Sequence, residues 1–359
     1  MGLQSLDICN FRNIETASLA FSPGLNLISG ENEAGKTGLL EAIYCLGRVR
    51  SFRTHVSAEP IRDRQSSFRL VGRVVSSEGR QIPIGIERQR SDLEVHLDGQ
   101  PIRRLSDLAG SFPVQVMSGD TSTILRGGPR YRRQTLDWAL FHVEQSYREV
   151  WQRYTRALRQ RNAALRAHMP VKQITTWDAE LLDAALQLDA FRRSYLEMLE
   201  PHLQSAMKQL LADQTLILRY QPGWPVTVSL PEALSQSLEK DLGQGFTQCG
   251  PHRSDFTLLV NGQGVASHCS RGQQKVLIVS FMLAQVQLQQ EMSVAMGAFL
   301  LDDLTSELDR RHQGRVLSAL HDLNSQVFVS TIDADAVDTA GWQDAKKFHV
   351  EHGDVQEVV

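Results

Sequence analysis

Residues 30–37 read GENEAGKT, and this stretch decides the fold. It satisfies G-x-x-x-x-G-K-[ST], the pattern of a loop whose backbone N–H groups close around a phosphate chain. An apolar run, LNLIS (25–29), precedes it. GLLEAIYCLG (38–47) follows, with Leu39, Leu40, Ile43 and Leu46 at helical spacing. A strand entering the loop and a helix leaving it is the context the pattern needs, because the helix N-terminus favours an anion. The predicted cradle is Gly30, Glu31, Asn32, Glu33, Ala34, Gly35, Lys36 and Thr37. Glu31 and Glu33 look out of place beside an anion. Backbone and Lys36 supply the cradle, so both carboxylates are expected to face away from it.

The loop predicts its partners. Lys36 has the reach to meet the β- and γ-phosphates of ATP, and the Thr37 hydroxyl is placed to ligate Mg²⁺. AFLLDD (298–303) is an apolar strand ending in two acids. Asp302 fits the Walker-B role in the Mg²⁺ shell, and Asp303 is the candidate for polarising the attacking water. Read alone, the two acids would only cap a helix. SRGQQK (270–275) opens the apolar helix VLIVSFMLAQVQL. Alone it is a serine N-cap. It also matches Ser-x-Gly-Gln, the signature position of ABC-type ATPases, in which Ser270, Gly272 and Gln273 would face the nucleotide of a second subunit. SELD (306–309) matches the D-loop of the same class. The order of these pieces predicts an α/β fold: an ABC-type P-loop ATPase head with an antiparallel β subdomain and an inserted, mainly helical lobe.

The rest of the chain fits that layout. LQSLDI (3–8) is expected to be a strand, and FRLVGRVV, IPIGIE and LEVHL between 68 and 97 an antiparallel meander. From about residue 130, apolar residues from Leu136 to Leu158 step by three or four, predicting one long amphipathic helix. A second runs from Leu181 to Leu199, with Pro201 kinking or restarting it. LILRY and VTVSL are expected to be short strands, with a short helix between Pro231 and Leu242. Strand signals return after GPHRSD (250–255), and FHVEHGDV (348–355) reads as a terminal hairpin. The expected domains are 1–125, the N-terminal part of the ATPase lobe; 126–245, the helical lobe; and 246–359, the C-terminal part of the ATPase lobe.

Composition narrows the function classes. The chain has 359 residues, a net charge of −3 and four cysteines without metal spacing, so reduced, cytoplasmic thiols are expected. No run approaches a membrane span. The first residues lack a secretory h-region, and Leu6 breaks the myristoylation pattern. Nucleic-acid binding therefore needs a local basic patch. Residues 126–166 supply one, with ten arginines against Asp137, Glu144 and Glu149, a local +7. Arg132, Arg133, Arg153, Arg156 and Arg159 are candidate phosphate contacts there, with Arg50 and Arg53 as a second group. A solvated helix face is the competing reading for any one of them.

At this point the sequence resembles the RecF family of bacterial recombination-mediator ATPases along its length. The carriers are NFRN (10–13), LLEAIYCLGRVRSFR (39–53), GGPRYRRQTLDW (127–138), QRNAAL (160–165), GPHRSD, SRGQQK and LLDDLTSELD (300–309). The resemblance implies ATP-dependent homodimerisation, slow DNA-stimulated ATP hydrolysis and DNA binding at single-strand gaps and duplex junctions. It implies work with RecR and RecO in loading RecA, with links to replication restart and the SOS response. It also places Arg12 among the nucleotide-binding residues. The chain departs from the family pattern at Glu33, which replaces a glycine, at Thr135, and over 117–126, where only Asp120 matches. The alternatives are a Rad50-like or structural-maintenance head, a transporter nucleotide-binding subunit and a non-hydrolysing DNA clamp. No long coiled coil or C-x-x-C hook supports the first. Ser330 and Thr331, at the place of the transporter switch histidine, disfavour the second. Asp303, shorter than the glutamate common in ABC enzymes, predicts slow turnover.

Overall fold

The structure is a computed structural model. It describes every residue except 55, 103–107, 109, 119–122, 212–213, 293, 295, 340 and 359; the side chains of residues 123, 126 and 307 are also outside it. Asp120, and the side chains of Arg126 and Glu307, therefore lie outside the described residues.

Runs of alternating or continuous apolar residues become strands. In chain order these are β1 (Gly2–Phe11), β2 (Ile14–Ala20), β3 (Leu25–Ser29), β4 (Ser67–Val75) and β5 (Gln81–Gln89). Next come β6 (Leu93–Leu97), β7 (Gln100–Pro101), β8 (Val114–Met117), β9 (Leu216–Gln221), β10 (Asp255–Val260) and β11 (Gln263–Gly264). The last four are β12 (Ala298–Leu301), β13 (Val327–Thr331), β14 (Lys346–Glu351) and β15 (Asp354–Val358). Contacts divide the chain into two units. The first is Met1–Thr121, Gln209–Leu211 and Arg271–Val359; the second is Ser122–Lys208 and Ala212–Ser270.

The first unit holds two six-stranded sheets. One is antiparallel, in the order β2-β1-β4-β5-β6-β7. The other runs β15-β14-β3-β13-β12-β8, parallel except for the β14–β15 hairpin. β3, β12 and β13 have almost no solvent-exposed residues, as parallel strands covered on both faces require. Between the sheets lies helix α1 (Lys36–Arg48), with Leu39, Leu40, Ile43 and Leu46 wholly buried in one core with Phe11, Leu70, Leu300 and Phe328. Burying such a leucine stabilises the fold by roughly 1.5–3 kcal/mol. The core holds α1, and α1 holds the loop at its N-terminus.

The second unit holds helices α2 (Pro129–Val143), α3 (Tyr147–Arg166) and most of α4 (Asp178–Leu211), with the sheet β11-β10-β9. Four sequence expectations change here. The long helix from about 130 is two, because Glu144 turns extended and its carboxylate accepts from the Ser146 N–H at 3.1 Å and Oγ at 2.6 Å. Apolar spacing continues across that break and conceals it. α4 runs unbroken through the exposed Pro201. VTVSL forms no strand: Ser229 caps helix Leu230–Gln236 in a capping box with Glu232, and a second short helix follows at Leu238–Gln244. The boundary expected at 245 falls after Ser270, because β10 pairs with β9 from Asp255 to Val260 and completes a sheet within the inserted unit.

Candidate nucleotide-binding site

Strand register assembles the site. Thr331 on β13 lies opposite Ser29 on β3, Leu301 on β12 lies opposite Val329, and His349 on β14 also lies opposite Ser29. The carboxyl ends of four parallel strands therefore share one edge. Gly30–Thr37, Asp302–Asp303, Ser330–Thr331 and the β14–β15 turn all leave from it. Parallel α/β sheets bind ligands at this edge.

The loop itself is held open by specific contacts. Gly30 has φ 153°, and a Cβ there would lie 2.3 Å from the Val350 carbonyl oxygen. Gly35 has φ 124°, and its Cβ would meet the Asn13 amide at 2.7 Å. Glycine is required at both. The Ala34 carbonyl accepts from Asn13 Nδ2 at 2.9 Å and from the Gly353 N–H at 2.8 Å. Lys36 Nζ donates to the Gly30 and Glu31 carbonyls, each at 2.7 Å. α1 starts at Lys36 without a side-chain cap, so its first N–H groups remain for an anion. Burial draws the Lys36 pKa below its ordinary value, while Asp303 and Asp302 partly offset that.

The acid pair meets the loop directly. Thr37 Oγ1 donates to Asp302 Oδ1 at 3.0 Å, and Ser330 Oγ donates to the same oxygen at 2.8 Å. Burial raises the Asp302 pKa, the Ser330 and Thr37 hydrogen bonds lower it, and Asp303 raises it further. Asp303 has φ 55°, and its Oδ1 is buried without a partner among the described residues. A hydroxyl and a carboxylate at this separation fit Mg²⁺, a hard ion that takes one or two protein oxygens and completes its shell with phosphate and water. The orphaned Asp303 oxygen is an acceptor in want of a donor, as a water-polarising group needs.

A cleft of about 1000 Å³ joins these parts. Its lining includes Asn32, Glu33, Gly35, Lys36, Thr37, Asp302, Asp303, Ser330, Arg12 and Arg53. The sequence reading missed Asn13, Arg62, Arg64 and His352, which also line it. NFRN and the Gly353 turn carried only a faint signal for this, since their role depends on distant pairing. Arg12 reaches the cleft with much of its fork already engaged. Nε and Nη2 donate to the wholly buried Glu41 at 2.9 and 2.8 Å, and Nη1 to Glu59 at 3.2 Å. Arg53 lies 3.7 Å from Glu41 and is half exposed. Among the described residues Gly272 and Gln273 are in the first turn of helix α5 (Arg271–Glu291) and do not line the cleft; the exposed Ser270 precedes them.

Glu31 and Glu33 are both exposed. Glu33 adopts φ 65°, the left-handed conformation a glycine would take freely, and it lines the cleft. Its carboxylate adds negative charge beside the place for a polyphosphate. Glu33→Gly is therefore expected to tighten ATP binding about fivefold, the effect of roughly 1 kcal/mol of removed repulsion. Isothermal titration would show it, and weaker binding would mean the carboxylate makes a favourable contact with the ligand.

The arginine candidates divide. Arg132 is a fork on Asp255 at 2.6 and 2.8 Å and also donates to the Gly127 carbonyl, and Arg133 donates to the Ser254 carbonyl at 2.7 Å. Asp137 accepts from Arg192, which also holds Ser254 and the Pro251 carbonyl. GGPRYRRQTLDW and GPHRSD thus lock onto each other inside the second unit. Arg161 is wholly buried on Asp178 and Asp241. Arg153 pairs with Glu180 and Asp183 on the surface. Arg50, Arg156 and Arg159 are exposed, with Arg159 donating locally to the Thr155 carbonyl. The positive count over 126–166 overstates the charge offered to a ligand, because part of it neutralises internal acids.

Comparison with known proteins places the chain in a family. The profile of the RecF/RecN/SMC N terminal domain matches residues 2–356. The DNA replication and repair protein RecF of Thioalkalivibrio sulfidiphilus is 39% identical over 354 residues, covering 98% of each chain. That of Stutzerimonas stutzeri is 37% identical over 363 residues, covering 100% of this chain and 98% of the other. A solved structure of the recombination mediator protein RecF-ATP in the RecFOR pathway superposes with a TM-score of 0.90 at 26% identity, covering 100% of this chain and 98% of that one. An Smc head bound to the C-winged helix domain of ScpA shares the fold alone, with a TM-score of 0.60 at 13% identity over 100% and 97% of the two chains. By its phosphate loop, its acid pair and a match along 98% of its length, the chain is a member of the RecF family.

Proposed function

We propose that this protein is an ATP-switched DNA replication and repair protein of the RecF kind. It binds ATP in the cleft with Mg²⁺ held by Thr37 and Asp302, dimerises on ATP, and binds DNA as the dimer. Hydrolysis through Asp303 is slow, stimulated by DNA, and resets the switch. The pathway partners are RecR and RecO, and the outcome is loading of RecA at single-strand gaps. The observation that carries this reading is the meeting of Thr37 with Asp302 at 3.0 Å beside Lys36, with loop and acids 265 residues apart in sequence. Family membership supports the ATPase activity itself.

In the dimer, Ser270, Gly272 and Gln273 of each subunit would complete the other's site. Arg50, Arg53, Arg156 and Arg159 are the DNA contacts favoured by their exposure. Arg132 and Arg133 act through the second unit's internal lock, and Arg153 would have to exchange its acids for phosphate. Sedimentation velocity of the full chain with and without ATP–Mg²⁺ and a gapped duplex tests the scheme. A dimer is expected only with nucleotide, and DNA co-sedimentation is expected to fall by at least about tenfold between 50 and 200 mM salt. A nucleotide-independent monomer, or DNA binding indifferent to salt, would overturn it.

A further inference from the structure

We propose that Ser330 is the positioning residue of the acid pair: one buried hydroxyl sets both the side chain of Asp302 and the backbone of Asp303. This rests on the reading of the cleft as an ATP–Mg²⁺ site. Ser330 is wholly buried at the end of β13. Its Oγ–H donates to Asp302 Oδ1 at 2.8 Å, and its oxygen accepts the Asp303 N–H at 2.8 Å. A serine hydroxyl has one donor, and Asp302 takes it. The side chain therefore acts through the acids and does not itself offer a proton to a nucleotide.

Two consequences follow from that geometry. First, Asp302 Oδ1 is occupied by two hydroxyls, those of Thr37 and Ser330. Both favour the ionised carboxylate and fix its plane, which leaves Oδ2 as the oxygen free to turn toward a cation. Second, Asp303 occupies the left-handed region at φ 55°, a conformation that is held by its surroundings. The bond from its N–H to Ser330 holds it on one side. On the other, Thr305 Oγ1 lies 3.1 Å from Thr331 Oγ1 and ties the helical turn Leu304–Glu307 to β13. The partnerless Asp303 Oδ1 is presented by this two-point grip. β13 thus contributes to the chemistry without contributing a group that touches it.

The test compares Ser330→Ala and Ser330→Thr with the unaltered protein in three measurements. These are affinity for a fluorescent ATP analogue in EDTA, the Mg²⁺ concentration that half-maximally changes that affinity, and the Mg²⁺ concentration giving half-maximal ATP hydrolysis. Ser330→Ala is expected to bind metal-free nucleotide within about twofold of normal, because the phosphate loop is unaltered. Its half-saturating Mg²⁺ should rise about tenfold, the loss of one hydrogen bond to a charged group. Ser330→Thr keeps the hydroxyl and is expected to return the Mg²⁺ requirement most of the way. A Ser330→Ala protein that loses kcat with the Mg²⁺ requirement unmoved in both binding and hydrolysis would show a structural role only and overturn the proposal. Absence of nucleotide binding by the unaltered protein would instead overturn the assignment of the cleft.

Discussion

Lys36→Ala is expected to reduce ATP affinity by at least about a hundredfold, and to abolish any ATP-dependent assembly with it. The side chain does two things at once. Its ammonium lines the cleft beside the phosphate loop, and a charge-assisted hydrogen bond from it to a phosphate would be about twice as strong as a neutral one. It also donates to the Gly30 and Glu31 carbonyls at 2.7 Å, so it braces the loop that supplies the remaining donors. Alanine removes charge and brace together. The fold should survive, because the core that holds α1 is apolar and does not involve the ammonium. Calorimetric titration beside a thermal melt separates the two effects. Affinity retained within about fivefold in a normally folded variant would mean that the backbone cradle alone carries binding.

Asp303→Asn is expected to lower hydrolysis by about a hundredfold or more, within the range typical of a deleted general base. ATP affinity should stay close to normal. Asparagine is nearly isosteric and tolerates the left-handed region, so the φ of 55° and the N–H bond to Ser330 are both retained. What is lost is the acceptor charge of the partnerless oxygen. The ATP-bound dimer should then persist for as long as nucleotide is present, which sedimentation after a chase would reveal. Ordinary turnover would remove Asp303 from the chemistry and pass the role to another group in the cleft.

The P-loop and the acid pair were legible because their chemistry is local: glycine spacing, one lysine and a strand that ends in acids. The family likeness was legible for the same reason, being carried by short motifs. Ser330 was visible only as the residue standing where a histidine stands elsewhere; its role needs the register of β12 on β13. His352 and Asn13 were not legible as cleft residues, since their turns reach the loop only through long-range pairing. Arginine spacing misled where the acids that neutralise it are distant, as Asp255 is from Arg132 and Asp241 from Arg161. Periodicity misled where a polar hinge, Glu144–Ser146, leaves the apolar spacing undisturbed. VTVSL misled because alternation proposes a strand and only a neighbouring strand can accept one.

The turn that follows β14 has one more consequence, and it concerns time. β3 is flanked by β13 and β14, and the Gly353 N–H closes on the Ala34 carbonyl. The phosphate loop at 30–37 is thus translated well before the turn at Gly353 that closes on it. At about 5–20 residues per second, the ribosome needs roughly 15–60 s to pass from residue 30 to residue 353. A nascent chain holds GENEAGKT throughout that interval without the Gly353 N–H that closes on it. The Gly353 N–H can reach the Ala34 carbonyl only once the β14–β15 hairpin exists, so the finished shape of the loop depends on a segment translated long after it.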